Sequence, residues 1–335
     1  MRTELALSAD DLARTRFAVS PMWEVVTSLR VLARPAVPAP HRHWAAQVRP
    51  RLAAAGPAVR RLAALVPPAG HLPDFLTPVP ATAAPALAAE LAAITATSPD
   101  RVRADLAVLA AERDGRLPAP LEPLRNDPAG RLPLLAADLE AYWDIALAPY
   151  WARIRALLDA DVLHRARQAV GHGTARVLGD LHATVRWEGG ALRLTGRHCA
   201  VDRLDAAAGL VLVPSAFAWP RVLTRTLPPD PPQLAYPARG LAALWEHRPA
   251  GTAPEALAAV LGRSRARLLA ELDAPASTTE LARRTGLSPA GVSQHLTALR
   301  AAGLTSAHRA GHAVLYARTA LADALLDPER AALPG

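Results

Sequence analysis

At 335 residues, 51% of them hydrophobic, the chain is long enough for two or three domains with cores and too apolar to be disordered. Its net charge of +8 and pI of about 10.8 favour polyanionic partners, nucleic acid or an anionic membrane. The single cysteine, Cys199, excludes an internal disulfide and points to a reducing cytoplasm.

Aromatic residues make up only 4%, so the cores are built from Ala, Leu and Val. All 38 basic residues are arginine. With so much Ala and Pro, that is first the mark of a high-GC genome, and each Arg need not be a phosphate contact. The start of the chain carries early acids and no long apolar core, so it does not read as a signal peptide. The longest uncharged apolar run, Ala206 to Pro220, is broken by Gly209 and Pro214 and is too short for a membrane span. The expectation is a soluble, cytoplasmic protein without a membrane partner.

In chain order, Glu4 to Leu7 reads as a short strand, and Ser8 or Asp10 caps a helix through Arg14. Ser20-Pro21 opens a helix with Val25, Val26, Leu29 and Leu32 as its apolar side, ended by Pro35, Pro38 and Pro40. His41 and His43 have no Cys or carboxylate close by, so they read as the start of a helix towards Leu52 with a packed Trp44. Leu62 to Val66 reads as a short apolar turn, and Pro67 to Leu76 as a proline-rich connection with a buried Phe75. Ala84 to Ala96 and Pro99 to Arg113 read as helices, the second started by Ser98. Leu134 to Leu158 is a long amphipathic stretch that Pro149 breaks in two. Val162 to Val170 continues it, with Asp161 and Arg165 paired at i, i+4.

From Leu181 the period becomes that of strands. Ala183 to Trp187 and Ala191 to Thr195 form a hairpin across Gly189-Gly190. Gly209 to Pro214 reads as a buried strand and Gln233 to Pro237 as another, in one small antiparallel sheet. Leu241 to Trp245 starts a helix, His247 to Thr252 is the best linker, and Glu255 to Leu272 reads as one helix.

The stretch Ser277 to Arg318 organises the rest. Thr279 to Arg284 is a helix, capped by Ser277 or Thr278 and stopped by Gly286. Ser288 caps a second helix, with Pro289 in its first position. Val292, Leu296 and Leu299 form the apolar stripe of that helix. Ala290, Gln294 and Thr297 form the opposite face, with Ser293 and Arg300 on its flank. Such a face can enter a major groove, where Gln pairs in bidentate fashion with adenine. Gly303 ends the helix. Leu304 to Arg309 and Ala313 to Arg318 are strands joined by Ala310-Gly311-His312, which puts Arg309 and His312 near the tip of a wing. Between Ala276 and Thr319, five arginines (Arg283, Arg284, Arg300, Arg309, Arg318) oppose one acid, Glu280, a net +4.

This stretch resembles the ArsR/SmtB family of bacterial repressors. Leu281-Ala282, Gly286-Leu287-Ser288, Val292-Ser293-Gln294-His295-Leu296, Leu299-Arg300, Ala302-Gly303-Leu304, Arg309, Gly311 and Tyr316 carry the resemblance, which covers the chain from about Ala256 onward. It implies a winged helix-turn-helix that binds double-stranded DNA as a homodimer, with the dimer built by Glu255 to Leu272 and by Thr319 to Leu326. Asp11-Leu12-Ala13-Arg14, Ser20-Pro21, His43-Trp44 and Pro73-Asp74-Phe75-Leu76 resemble an uncharacterised region that precedes ArsR-type domains in regulators from high-GC bacteria. That second resemblance brings no chemistry with it.

Metal-sensing relatives place cysteines on the first helix of the motif, or Asp and His on the last helix. Thr279 to Arg284 holds no Cys, and Asp323 and Asp327 have no His beside them, so no metal sensing is expected. His308 and His312 then read as DNA-facing or solvated. Gly171-His172-Gly173 lacks the spacing and Lys of a phosphate loop. His198 and Cys199 are adjacent and would face opposite sides of a strand, and Ser215 lacks the Gly-x-Ser-x-Gly elbow. Neither a catalytic residue nor a cofactor is expected. Trp143, Tyr150, Trp151, Trp187, Phe217 and Trp219 read as core, or for some of them as the lining of a pocket for an apolar effector.

The expected architecture is mainly α with a small antiparallel β-sheet. It comprises a helical N-terminal region over 1–180, a sheet region packed on it over 181–246, and the winged helix-turn-helix over 255–330. The expected function is a sequence-specific, dimeric transcriptional regulator, a repressor, open to a small-molecule effector. Its DNA-facing residues are Thr279, Ser288, Ala290, Ser293, Gln294, Thr297, Arg300, Arg309 and His312. The alternative is a protein-interaction or enzymatic N-terminal domain with the winged helix as a dimerisation module.

Overall fold

Ser8 turns the chain from its first strand into its first helix. Its hydroxyl accepts the Asp11 amide at 3.1 Å, and the Asp11 carboxylate accepts the Ser8 amide at 2.9 Å, a reciprocal capping box. The structure, a computed structural model, describes residues 2–54, 56–195, 203–205, 209–245, 255–310 and 313–326. The expected linker His247 to Thr252, the pair His198 and Cys199, and the wing residues Gly311 and His312 lie outside the described residues. The chain is mainly α with small sheets. It divides into two compact units.

The first unit comprises Met1–His41, Arg60–Leu139 and Leu157–Leu241. Its strands are β1 (Arg2–Ala6), β2 (Arg16–Phe17), β3 (Val185–Glu188), β4 (Ala191–Thr195), β5 (Arg203–Asp205), β6 (Val211–Ser215), β7 (Leu223–Arg225) and β8 (Gln233–Pro237). They form two sheets, β3-β4-β1-β5 and β2-β6-β8-β7. The Gly189-Gly190 hairpin is antiparallel as expected. The strand at 211–215 departs from the expected antiparallel sheet and pairs in parallel with both β2 and β8. Burial explains this: every residue of β6 is buried, the condition in which parallel pairing is found. Pro214 sits in this central strand without losing a bond. Val211 donates toward the β8 side, to Pro232, while Leu210 and Leu212 accept from the β2 side. Alternation therefore turns Pro214 toward the β2 edge, past the end of that two-residue strand. Both sheets share one core, with Leu5, Val185, Leu192 and Leu194 from the first and Leu212, Leu234 and Tyr236 from the second.

The helix Pro21–Ala33, capped by the Ser20 hydroxyl, is buried from Pro21 through Val31. It carries Glu24 inside. Both carboxylate oxygens of Glu24 lie 3.1 Å from the Ala216 amide, and burial pushes its pKa up to about 8. Ser215 accepts the Phe217 and Ala218 amides on its hydroxyl, which also meets Thr27 Oγ1 at 3.1 Å. The Asp161–Arg165 pair is present at 3.9 Å, with both side chains buried. The expected apolar turn at Leu62–Val66 is instead the second half of a helix, Pro57–Leu65, in which Leu62 and Leu65 are buried at i, i+3.

The second unit comprises Arg42–Val59, Glu140–Ala156 and Ala242–Gly335. Pro149 ends the helix Pro128–Ala146, and the short 3-10 helix Ala148–Tyr150 leads into the helix Trp151–His172. Trp44 is fully buried on the helix Arg42–Ala53. Its Nε1 donates to the Ala146 carbonyl at 2.9 Å, and its ring stacks on Trp245, against which Tyr150 stands edge-on. The expected single helix over 255–272 is two, Glu255–Leu261 and Arg263–Glu271. Gly262 between them takes φ +84°, a left-handed conformation that ends a helix.

Candidate nucleic-acid interface

The helix Thr278–Thr285 begins at Ser277, whose hydroxyl accepts the Glu280 amide, and ends at Gly286 in the left-handed region, φ +71°. Thr285 is buried and donates its hydroxyl to the Leu281 carbonyl at 2.7 Å, which leaves the turn no slack. Ser288 then accepts the Gly291 amide at 3.1 Å, and Pro289 occupies the first position of the helix Pro289–Ala301. Val292, Leu296 and Leu299 are buried with Leu268, Leu269, Leu272, Leu281 and Leu304 in one core. That core fixes the helix and decides which face points outward.

The outward face carries Ala290, Ser293, Gln294, Thr297 and Arg300, all exposed, with exposed Ser288 at its start. From Ala290 to Arg300 the stripe runs along about 15 Å of helix at 1.5 Å per residue. Thr297 donates its hydroxyl to the Ser293 carbonyl at 2.9 Å, so its methyl and lone pairs are what it presents. Thr279 is exposed in the first turn of the preceding helix.

Behind the helix stand β9 (Ala276–Ser277), β10 (Thr305–Ala310) and β11 (Ala313–Arg318), in the order β10-β11-β9. The two long strands pair from Thr305↔Arg318 to Ala310↔Ala313. Arg309 is exposed opposite Val314, one residue before the end of β10. His308 departs from the expected DNA-facing or solvated position. It is half-buried, its Nε2 lies 2.8 Å from Ser306 Oγ, and burial lowers its pKa.

The charge is distributed more narrowly than the count of five arginines suggests. Arg284 pairs with Glu280, and Arg318 pairs with Asp273 at 2.9 Å and Asp323 at 2.8 Å. Arg283, Arg300 and Arg309 are exposed and have no acidic partner among the described residues. Arg283, in the last turn of the first helix beside Arg284, is not among the DNA-facing residues expected from the sequence. Asp323, weighed as a metal ligand, is committed to Arg318, and Asp327 lies outside the described residues.

Of the aromatic residues weighed as core or pocket lining, Phe217 and Tyr150 are buried, whereas Trp219 is 40% exposed. Tyr150 lines two clefts of the second unit, of about 20 and 10 Å³. Each has room for about one water. No helix among the described residues is long and apolar enough to cross a membrane.

Comparison with known proteins gives two family matches. A family model described as a helix-turn-helix domain matches residues 261–306, from the end of one flanking helix into β10. A second, described as a family of unknown function (DUF5937), matches residues 74–242, half of the chain. No curated protein and no solved structure matches. The helix-turn-helix match, on a helix pair with this exposed polar face, marks a DNA-binding regulator.

Proposed function

The chain belongs to the DUF5937 family of unknown function and carries a helix-turn-helix domain, and from that premise we propose that it is a dimeric, sequence-specific transcriptional repressor. The observation that carries the reading is the helix Pro289–Ala301, apolar beneath and polar without an acid above, flanked by three arginines that no acid among the described residues neutralises. An acidic or covered face there would have favoured a protein partner.

In this reading Gln294 and Ser293 meet base edges, with Ala290 and Thr297 beside them close to the groove floor. Arg300, Arg309 and Arg283 meet phosphates, and Thr279 and Ser288 anchor the helix starts against the backbone. His312, three residues after Arg309 in sequence and outside the described residues, is assigned to the same strip. Dimerisation is assigned to the flanking helices Glu255–Leu261 and Ala320–Leu326, where Val260, Leu321 and Leu325 stand exposed. Two copies would read half-sites about one helical turn, roughly 34 Å, apart. An effector, assigned to the amino-terminal part, would act by changing that spacing.

Selection of bound sequences from a random DNA pool tests the reading. Enrichment of a two-fold symmetric site with that spacing is the expected result. Recovery of unenriched sequence would remove specificity from the account.

A further inference from the structure

The base of the wing is tied to residues outside the winged helix by a chain of charges. Asp273, in the loop before β9, takes Arg153 and Arg318 on the same oxygen: Oδ1 lies 3.0 Å from Arg153 Nη2 and 2.9 Å from Arg318 Nη2. Arg318 is the last residue of β11. It also pairs with Asp323 and donates to the Leu269 carbonyl at 3.3 Å, so one guanidinium joins the wing base to the helices on both sides of it. The side chains of Asp273 and Arg318 are nearly buried, 13% and 12% exposed, so solvent screens this chain far less than it would a surface pair. Arg153 stands on the helix that follows the 3-10 turn Ala148–Tyr150, and that turn packs against both β10 and β11. A second tie runs beside the first. Arg51 donates to the Pro275 carbonyl at 3.2 Å and to Tyr150 Oη at 3.4 Å.

Residues 148–153 belong to the stretch that the unknown-function family model matches, whereas Asp273 lies in the helix-turn-helix match. The two matched regions therefore meet, within one compact unit, at the base of the wing.

We propose that Asp273 is a positioning residue for DNA binding: the Arg153–Asp273–Arg318 chain holds the wing in place, and through it the family region sets DNA affinity. The proposal rests on the DNA-binding reading above. Without Asp273, Arg318 keeps Asp323 but Arg153 loses the carboxylate that ties it to the wing base. Without Arg153, Asp273 and Arg318 remain paired but are no longer anchored to the corner at Tyr150. In either case the wing moves, and Arg309 must be fixed again at each encounter with DNA.

The test uses the full chain with Arg153→Ala, Asp273→Asn and Arg153→Lys, and with Arg61→Ala as a control. Arg61 makes an exposed two-bond pair with Asp138 in the other unit, remote in sequence from the wing. Amide hydrogen exchange over β10 and β11 is compared with affinity for a bound DNA site. The expected result for Arg153→Ala is wing exchange faster by about tenfold, the measure of a local opening made easier. Binding should weaken by about fivefold, as for a contact that must be reordered at each encounter. The salt slope should stay unchanged, because Arg153 itself touches no phosphate. Arg153→Lys should recover part of both effects, and Arg61→Ala should show neither. Wing exchange at the wild-type rate overturns the proposal. So does faster exchange with unchanged affinity, or a salt slope lowered by one contact, which would make Arg153 a phosphate ligand. If Asp273→Asn fails to fold, the Arg153 variants decide. If the wild-type protein binds no DNA, the regulator reading fails, and exchange alone decides whether the chain holds the wing.

Discussion

Replacing Glu24 by Gln should stabilise the first unit, and by an amount that grows with pH. Glu24 is fully buried on the helix Pro21–Ala33 among Ser215, Ala216 and Thr27, and no cation is among the groups that shift it. Burial raises its pKa from 4.5 to about 8, while hydrogen bonds from Ser215 and Ala216 offset only part of that rise. The folded state therefore holds a proton that the unfolded state releases above about pH 4.5. Its contribution to stability is complete below that pH, falls as pH rises, and is gone above about pH 8. At about 1.4 kcal/mol per pH unit, the loss reaches about 3 kcal/mol at pH 7 and about 4 kcal/mol at pH 8, where the folded group is half ionised. Gln keeps the shape and one acceptor for the Ala216 amide but cannot ionise. The assay is hydrogen exchange of the amides of Pro21–Ala33, corrected for intrinsic rate, for both proteins from pH 4.5 to 8.5. Taking the difference removes the common contributions of Glu90, pushed up to about 7, and Asp74, pushed up to about 6. A difference that does not change with pH would refute the reasoning, because Glu24 would then carry the same charge folded and unfolded.

Other outcomes follow from the winged unit. Gln294→Ala should flatten preference at one base pair by about 1–3 kcal/mol in a competition assay while leaving unrelated DNA equally bound. Arg309→Ala should weaken every sequence alike and lower the salt slope by about one contact per protomer. Leu296→Ala, at a fully buried site beneath the polar face, should cost about 2–5 kcal/mol by urea unfolding of that unit and take DNA binding with it. Gly286→Ala puts a side chain at φ +71° and should cost about 1–2 kcal/mol, read as a lower melting temperature.

The helix-turn-helix was legible because its punctuation is local. Ser277, Gly286, Ser288 and Pro289 each act on backbone within four residues, and the structure uses the first three as caps or stops and Pro289 as the first residue of its helix. The buried stripe Val292, Leu296, Leu299 was equally plain, since a helical period needs no distant partner. Gly262 was also local, but its neighbours Ala259, Leu261 and Arg263 favour helix, and only its left-handed φ ends the run. What could not be read was pairing at a distance. Nothing near Val211–Ser215 says that its neighbours are Arg16–Phe17 and Gln233–Pro237, both in parallel. The charges behaved likewise. Arg318 counts in the sequence only toward the local basic charge, yet Asp273, forty-five residues earlier, holds it at the wing base. Arg153, from the middle of the chain, joins the same carboxylate, so the winged unit includes residues that no reading of its own segment supplies.

The most direct test of the central claim is a binding titration of the full chain, from 50 to 200 mM salt, on the DNA upstream of its own gene and on unrelated DNA. The account predicts binding at least about a thousandfold tighter to the first. It also predicts a log–log salt slope of about −5, from Arg283, Arg300 and Arg309 on each of two protomers. Equal binding to both DNAs with a slope near zero would contradict it.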